Sequence, residues 1–338
     1  LKIDYSAAGK TDKGLVRAGN EDSILLNQDS NIFIVCDGMG GHQAGEVASK
    51  EACEVINFCF TNLADRIQSK TELNLPDRIP PRGDLLVKAI RIANRSIYIH
   101  SRSAVNLTGM GTTVVAVALE EGLLSIAHAG DSRVYRLFNG ELTRLTTDHS
   151  WVSELQASGN MTEEEANMVA GKNVITRALG VNERVDIDYR ANKVTSGEIY
   201  ILCSDGLCGY AEDDEIKKVA LECDGDVDKI VKRLIQLAND HGGQDNVSVV
   251  ALKIIEAEVR QNVSAYEPVT ISKEDDAALA VENELVNAIL DLKKSLESTQ
   301  VEEELTTQEK RKSAFPLFLI FLVFIVIAIV FIYFTLNK

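Results

Sequence analysis

Between Thr112 and Leu145 the chain packs four short apolar or alternating runs behind connections of only two or three residues, and this narrows the possible folds more than any other stretch. The runs are Thr112–Leu119, Leu123–Ala129, Arg133–Phe138 and Glu141–Leu145, joined by Glu120-Glu121-Gly122, Gly130-Asp131-Ser132 and Asn139-Gly140. Parallel neighbours need a crossover of about a dozen residues or more, so strands this close must run antiparallel. Asn-Gly also supplies the left-handed residues of a two-residue hairpin turn. An antiparallel meander is expected here, and an all-parallel Rossmann sheet is excluded.

The flanks add helices and further strands. Ile32–Cys36 reads as a buried strand that ends at Asp37-Gly38. Over His42–Ser69 and Asp84–Ser103 apolar residues recur at three and four, as on amphipathic helices, and the three prolines of Leu75–Gly83 mark a loop between them. Residues 150–172 read as two short helical pieces around Gly159, the second capped by Thr162 with Glu165. Strands follow at Val185–Tyr189 and Glu198–Cys203, then a helix at Val227–Asp240 stopped by Gly242-Gly243, and a last strand at Val247–Ile254. The class is α+β with its sheets in the middle, and no internal repeat is visible. Six cysteines without a C-x-x-C pair read as small core residues of a reducing compartment, not as a zinc site.

Beyond residue 255 the composition changes. Residues 256–313 are acidic and read as a solvated tether, part helical where Leu285, Ile289, Leu292 and Leu296 recur at four, three and four. That is about two heptads, short of a coiled coil, and no oligomer is indicated. Ala314–Leu336 then holds no charged residue, and as a helix would be ~34 Å long, enough to cross a hydrocarbon core. Lys310, Arg311 and Lys312 immediately before it place the N-terminal part in the cytoplasm under the positive-inside rule. No signal peptide is read in Leu1–Leu15, and the opening Leu reads as a missing true start. The expectation is a single-pass membrane protein with a domain at 1–255, a tether at 256–313 and a transmembrane helix at 314–336. A formal charge of −16 argues against sequence-independent nucleic-acid binding.

Chemistry concentrates in acidic residues at strand ends. Asp37 and Asp205 each close an apolar strand and precede a glycine, Asp131 sits in a turn of the meander, and Asp245 opens the last strand. One such Asp is an ordinary turn residue. Several carboxylates at the ends of buried strands need a compensating cation. Oxygen ligands without a His or Cys cluster suit Mg²⁺ or Mn²⁺. A dinucleotide fingerprint at Gly38-Met39-Gly40 fails because Gln43 holds the third glycine position and the strands downstream are antiparallel.

Taken in order, Arg17-Ala18-Gly19-Asn20-Glu21-Asp22-Ser23, Asp37-Gly38-Met39-Gly40-Gly41-His42, Gly111-Thr112-Thr113, Gly130-Asp131-Ser132-Arg133, Ser204-Asp205-Gly206-Leu207 and Asp245-Asn246-Val247-Ser248 resemble the metal-dependent protein phosphatases of type 2C in their bacterial form. The resemblance spans about Ile3 to Ile254. It implies a β-sandwich of two antiparallel sheets flanked by helices, and hydrolysis of phosphoserine and phosphothreonine in proteins with two core Mn²⁺ or Mg²⁺ ions. By the same resemblance Asp37 bridges the two ions, the Gly38 carbonyl serves one, and Asp205 and Asp245 serve the other. Glu21 and Asp22 orient waters, Arg17 holds the phosphate, and Asp131 with Asp205 offers a place for a third ion. The implied partners are phosphoproteins, including Ser/Thr kinases and their targets.

Met39 departs from the pattern, since many eukaryotic relatives carry there a His that acts as general acid, and a thioether cannot donate a proton. His42, His128 and His149 read as ordinary polar residues without evident partners. By the same resemblance Ser150–Lys172 corresponds to a segment beside the metal site, and it reads either as a mobile flap that gates bulky substrates or as a plain surface helix pair. Two other readings stay open: a catalytically silent binding or scaffold module, and a metal-dependent hydrolase of another phosphoester.

Overall fold

The computed structural model describes residues 3–40, 44–70, 79–157, 174–258, 265–272 and 279–291. Leu1–Val286 forms one compact unit and Asn287–Lys338 a second. His42, the pieces around Gly159 and Thr162, the positions Leu292 and Leu296, and the apolar run 314–336 lie outside the described residues. Among the described residues no helix is long and apolar enough to cross a membrane.

Among the described residues twelve strands build two antiparallel sheets. Seven of them, β2 (Asp22–Asn27), β3 (Ile32–Met39), β4 (Gly111–Thr112), β5 (Val114–Glu120), β6 (Leu123–Ala129), β9 (Ile187–Lys193) and β12 (Tyr266–Ile271), form one sheet in the order β12-β9-β6-β5-β3-β2, with β4 paired to β3. The other has the order β1-β11-β10-β7-β8, from β1 (Ile3–Asp12), β7 (Arg133–Phe138), β8 (Glu141–Arg144), β10 (Ile199–Cys203) and β11 (Val247–Ala257).

The meander expectation needs one correction. β5 pairs with β6 and β7 with β8, as read, but β6 and β7 belong to different sheets. At Gly130-Asp131-Ser132 the chain leaves one sheet for the other. Gly130 makes the crossing possible with φ at +119°, a conformation that side chains rarely tolerate. Asp131 is therefore not in a hairpin turn but at the passage between layers.

Strand alternation explains why the sheets stack. On β10, Tyr200 and Leu202 face the other sheet, where they meet Phe33, Val35, Val115, Val117 and Ile126. Ile199, Ile201 and Cys203 face the opposite way and pack under three helices. These are α5 (Asp205–Cys208), α6 (Asp213–Leu221) and α7 (Val227–Asp240), after α4 (Trp151–Ala157). The seven-stranded sheet is covered by α1 (Ala44–Asn62) and α3 (Pro81–Ser101), with α2 (Ala64–Lys70) beside α3. Period-two burial on both faces gives four layers: helices, sheet, sheet, helices. Pro81 occupies the first turn of α3, where its missing N–H costs nothing, so the helix begins inside the stretch read as loop.

Three strands escape the sequence reading. β1 and β2 lie at sheet edges and alternate only weakly between small, polar and apolar residues. β12 lies within the acidic stretch read as tether, yet it pairs with β9 and closes the edge of the seven-stranded sheet. A helix over 279–291 follows. Leu285 and Val286 are buried on it, Asn283 accepts a hydrogen bond from Arg95, and Glu284 pairs with Arg66. All six cysteines are free and buried, as the sequence implied.

Candidate metal centre

Both sheets send carboxylates to one end of the sandwich. Asp22 on β2 lies directly across from Asp37 on β3 in the antiparallel register. Asp205 follows β10 and Asp245 precedes β11, so both come from the second sheet. Asp131 stands on the crossing between the two. The carboxyls of Asp37 and Asp205 share a hydrogen bond, and Asp37 also feels the charges of Asp22 and Asp131.

The electrostatics of this cluster are those of an anion-rich site built for a cation. Burial pushes the Asp22 carboxyl up to about 7, against hydrogen bonds from Ser248 and Ser204 that act in the other direction. Asp131 is likewise raised to about 7, by burial and then by Asp205. Asp37 is driven well above the carboxylate range by burial, Asp22 and Asp205, and Asp205 is raised, chiefly by burial. Asp22 Oδ1 and Asp131 Oδ1 are buried with no hydrogen-bond partner. Buried carboxylate oxygens without partners are a poor arrangement for a protein alone and a good one for hard divalent ions. The donor set fits the Mn²⁺ or Mg²⁺ that the sequence implied.

Backbone pinning keeps these oxygens in place. The Asp37 N–H donates to Thr113 Oγ1 at 3.0 Å, while the Asp37 carbonyl accepts from Thr112 Oγ1 at 2.9 Å and from the Thr113 N–H at 2.8 Å. Thr113 Oγ1 in turn lies 2.8 Å from Ser132 Oγ, beside Asp131. Ser204 and Ser248 donate to Asp22 Oδ2 at 2.8 and 2.6 Å, which leaves Oδ1 as the free acceptor. Gly38 donates its N–H to the Glu21 carbonyl at 3.1 Å. A Cβ there would strike the carbonyl oxygens of Gly45 and Glu21, so only glycine allows the strand, α1 and the Glu21 segment to close on one another. Gly38→Ala is expected to cost about 2 kcal/mol and to lower the melting temperature by about 5 °C in a thermal scan. An unchanged melt would show that this contact yields without cost.

Arg17 stands half-exposed at the mouth of the site. Its Nη2 donates to Asp245 Oδ2 at 2.7 Å, so the guanidinium is held over the cluster by one of the carboxylates. Asn246 organises the loop that carries it. Asn246 Nδ2 donates to the carbonyls of Lys13 and Gly19, both at 2.9 Å, and its Oδ1 accepts from the Glu21 N–H at 2.8 Å. Glu21 is partly buried beside Arg17, Asp245 and Glu46, and burial raises its carboxyl. The structure thus brings Arg17, Glu21, Asp22, Asp37, Gly38, Asp131, Asp205 and Asp245 to one place. The sequence reading passed over Ser204, Ser248, Thr113 and Asn246 as individual contributors. Their signal was present, since each lies inside a quoted motif, Ser204 and Asn246 directly beside an acidic residue. Met39, at the end of β3, presents no proton donor.

His128 and His149 are not isolated as the sequence reading had them. Their rings stack 4.6 Å apart at 9°, and His149 Nε2 lies 3.1 Å from Asp188 Oδ2.

A two-sheet sandwich whose layers each supply carboxylates to a buried cation site, with an arginine at its mouth, defines a metal-dependent hydrolase of phosphate esters. Residues 16–249 match the family model described as protein phosphatase 2C. The chain belongs to the protein phosphatase 2C family. It is 36% identical over 247 residues to the serine/threonine phosphatase stp of Listeria monocytogenes, covering 72% of this chain and 94% of that one. It is 37% identical over 264 residues to the serine/threonine protein phosphatase PstP of Mycobacterium tuberculosis, covering 77% of this chain and 47% of that one. The crystal structure of the PstP catalytic domain with two manganese ions superposes with a TM-score of 0.62 at 34% identity, over 75% of this chain and all of that one. For Stp1 of Staphylococcus aureus the TM-score is 0.65 at 32% identity, over 76% and 97% of the two chains.

Proposed function

We propose that the protein is a metal-dependent protein phosphatase that removes phosphate from phosphoserine and phosphothreonine in other proteins, opposing Ser/Thr kinases. The observation that carries this reading is the buried cluster of Asp22, Asp37, Asp131 and Asp205 with two orphaned oxygens, beneath an arginine. Asp37, Asp205, Asp245 and the Gly38 carbonyl would hold two Mn²⁺ or Mg²⁺ ions, and Asp131 with Asp205 a third. When bound, such ions supply an activated water and neutralise charge on the phosphoryl oxygens.

The chain's own groups do the rest. Arg17 presents a planar fork of donors to the phosphate dianion, a task that suits guanidinium better than ammonium. Its bond to Asp245 aims the fork at the cluster before a substrate arrives. Asp22 and Glu21 offer acceptors that orient the attacking water, and the two serines on Asp22 fix which of its oxygens is available. With methionine at position 39, the leaving alkoxide takes its proton from water at the site and not from a side chain there.

Two parts of this reading concern the rest of the chain. The uncharged run Ala314–Leu336 after Lys310-Arg311-Lys312 supports a single C-terminal membrane span with the phosphatase domain on the cytoplasmic side. The sequence Glu163-Glu164-Glu165 between Gly159 and Gly171, in a segment that the family resemblance sets beside the metal site, supports a role for 150–172 in admitting bulky substrates.

The deciding experiment compares phosphate release from phosphothreonine peptides, a phosphoprotein and small phosphoesters, with Mn²⁺ present or chelated. Mn²⁺-dependent release from the peptides and the protein is expected. Release from small esters alone would make it a different phosphoesterase. No release from any substrate, with Mn²⁺ bound, would favour a binding module.

A further inference from the structure

The stacked pair His128 and His149 with Asp188 presents ligand-type atoms within 4.8 Å of one another, outside the metal centre. A cation does not fit there. Arg177 Nη1 lies 2.8 Å from Asp188 Oδ1 and 3.2 Å from His149 Nε2, so a guanidinium already stands between those ligand atoms. Both nitrogens of His149 are in use as well. Nδ1 accepts the Gly130 N–H at 3.1 Å, which places the ring proton on Nε2, and that proton is directed at Asp188 Oδ2.

The partner on the Nδ1 side gives the cluster its meaning. Gly130 is the left-handed glycine at which the chain passes from one sheet to the other, and Asp131 follows it. His149 grips both peptide groups of Gly130. Its ring accepts the Gly130 N–H, and its own N–H donates to the Gly130 carbonyl at 2.9 Å. The peptide between Gly130 and Asp131 is therefore fixed by a residue 18 positions away in sequence. Glycine cannot fix it unaided, because it has no side chain to restrict its backbone.

Four elements hold the gripping residue in turn. Its carbonyl accepts the Thr176 N–H at 2.8 Å, at the base of the segment that leads out through α4. Asp188 on β9, which orients Nε2, itself accepts from Thr270 on β12 at 2.7 Å. His128 on β6 backs the ring and anchors through Nε2 on the Thr147 carbonyl at 2.9 Å. Burial alone would raise the Asp188 carboxyl, but the hydrogen bonds from His149 and Thr270 outweigh it and hold Asp188 well below the usual range. Asp188 thus stays an acceptor, and the tautomer of His149 is kept.

We propose that His149 is a positioning residue for Asp131, its Nδ1 and backbone N–H clamping Gly130 so that the Asp131 carboxylate stays aimed at the metal centre. The proposal rests on the metal-centre reading above.

Two isosteres separate the two sides of the ring. In His149→Asn the amide oxygen can stand where Nδ1 stood and accept from Gly130, but it does not reach Asp188. In His149→Gln the amide can reach Asp188, and the acceptor toward Gly130 is lost. Two readouts on the purified chain decide the matter: exchange of the Gly130 amide hydrogen followed by NMR in EDTA, and calorimetric titration with Mn²⁺ alone. His149→Gln is expected to speed Gly130 exchange at least about tenfold and to weaken the weakest Mn²⁺ event about tenfold, with His149→Asn within about threefold of the parent on both. If His149→Asn is as impaired as His149→Gln, or His149→Gln matches the parent, the clamp is overturned and His149 is only a packing residue. Asp131→Ala in the same titration tests the underlying reading. Loss of only the weakest Mn²⁺ event supports it, and an unchanged titration would overturn the assignment of Asp131 as a ligand while the exchange result still judges the clamp.

Discussion

Asp37→Ala and Asp205→Ala are each expected to lower Mn²⁺-dependent hydrolysis of a phosphothreonine peptide by at least about a hundredfold, equivalent to about 2.7 kcal/mol or more of lost transition-state stabilisation. The two carboxyls share a hydrogen bond at the centre of the cluster, and each comes from a different sheet. Removing either leaves the cluster short of the charge that draws divalent ions together. The fold should survive both changes. Strand β3 is held by its neighbours on either side through Val35 and Ile34, and the Asp37 backbone bonds to Thr112 and Thr113 do not use the carboxylate. Activity and thermal melting measured together check this. More than a tenth of parental activity in either variant would sink the assignment of that carboxylate.

A second large effect concerns the protein stripped of metal. In EDTA the melting temperature is expected to fall by about 3 °C as pH rises from 6.5 to 8.5. The sign follows from proton affinity. Asp22 and Asp131 titrate near 7 in the folded chain and near 3.8 in the unfolded one, so the folded state holds protons that the unfolded state has released. Stability from that difference is fully present below the unfolded value and disappears as pH passes through about 7. Among groups with lowered values only His128 opposes the trend in this window, by about 0.4 kcal/mol, as its unfolded imidazole releases the half proton it still holds at pH 6.5. Asp188 is ionised throughout, and His128, pushed down to about 4 by burial and by His149, is neutral in the folded state. Added Mn²⁺ should reverse the slope, because ions bind the ionised cluster, and about 2.7 kcal/mol of stabilisation is available at a hundredfold excess over the dissociation constant. A flat melt across the window in EDTA would mean the carboxylates are solvated and not held together as described.

How much of this was legible in the sequence depends on where each residue sits. β6 and β7 were readable residue for residue, Leu123–Ala129 and Arg133–Phe138, because buried strands are continuous apolar or alternating runs. α7 was readable at both ends as Val227–Asp240, with the Gly242-Gly243 stop after it, and the structure adds Asp226 as its cap. β1 was not, because a strand paired on one side only can carry Ser, Ala, Gly and Lys. β12 was hidden by its setting, since Glu267 and Pro268 within an acidic stretch suit an edge strand that needs few ladder donors. That these carboxylates would gather was legible because acidic residues at strand ends follow from local pattern. Their supports were less so. That Ser204 and Ser248 meet on Asp22, or that His149 meets Gly130, depends on which strands become neighbours, and the passage of the chain between sheets at Asp131 was mistaken for a hairpin turn.

That the carboxylates are divided between two sheets bears on when in its life the protein can act. Asp22 and Asp37 belong to one layer, Asp205 and Asp245 to the other, and Asp131 to the strap between them. Asp245 and β11 arrive late in the chain, and β11 must insert between β1, which is made first, and β10 before the set is complete. A nascent or half-assembled copy therefore owns ligands but no site. Competence appears only with the finished sandwich, so a chain still being synthesised, or one nicked between the layers, has no means of stripping phosphate from the proteins around it.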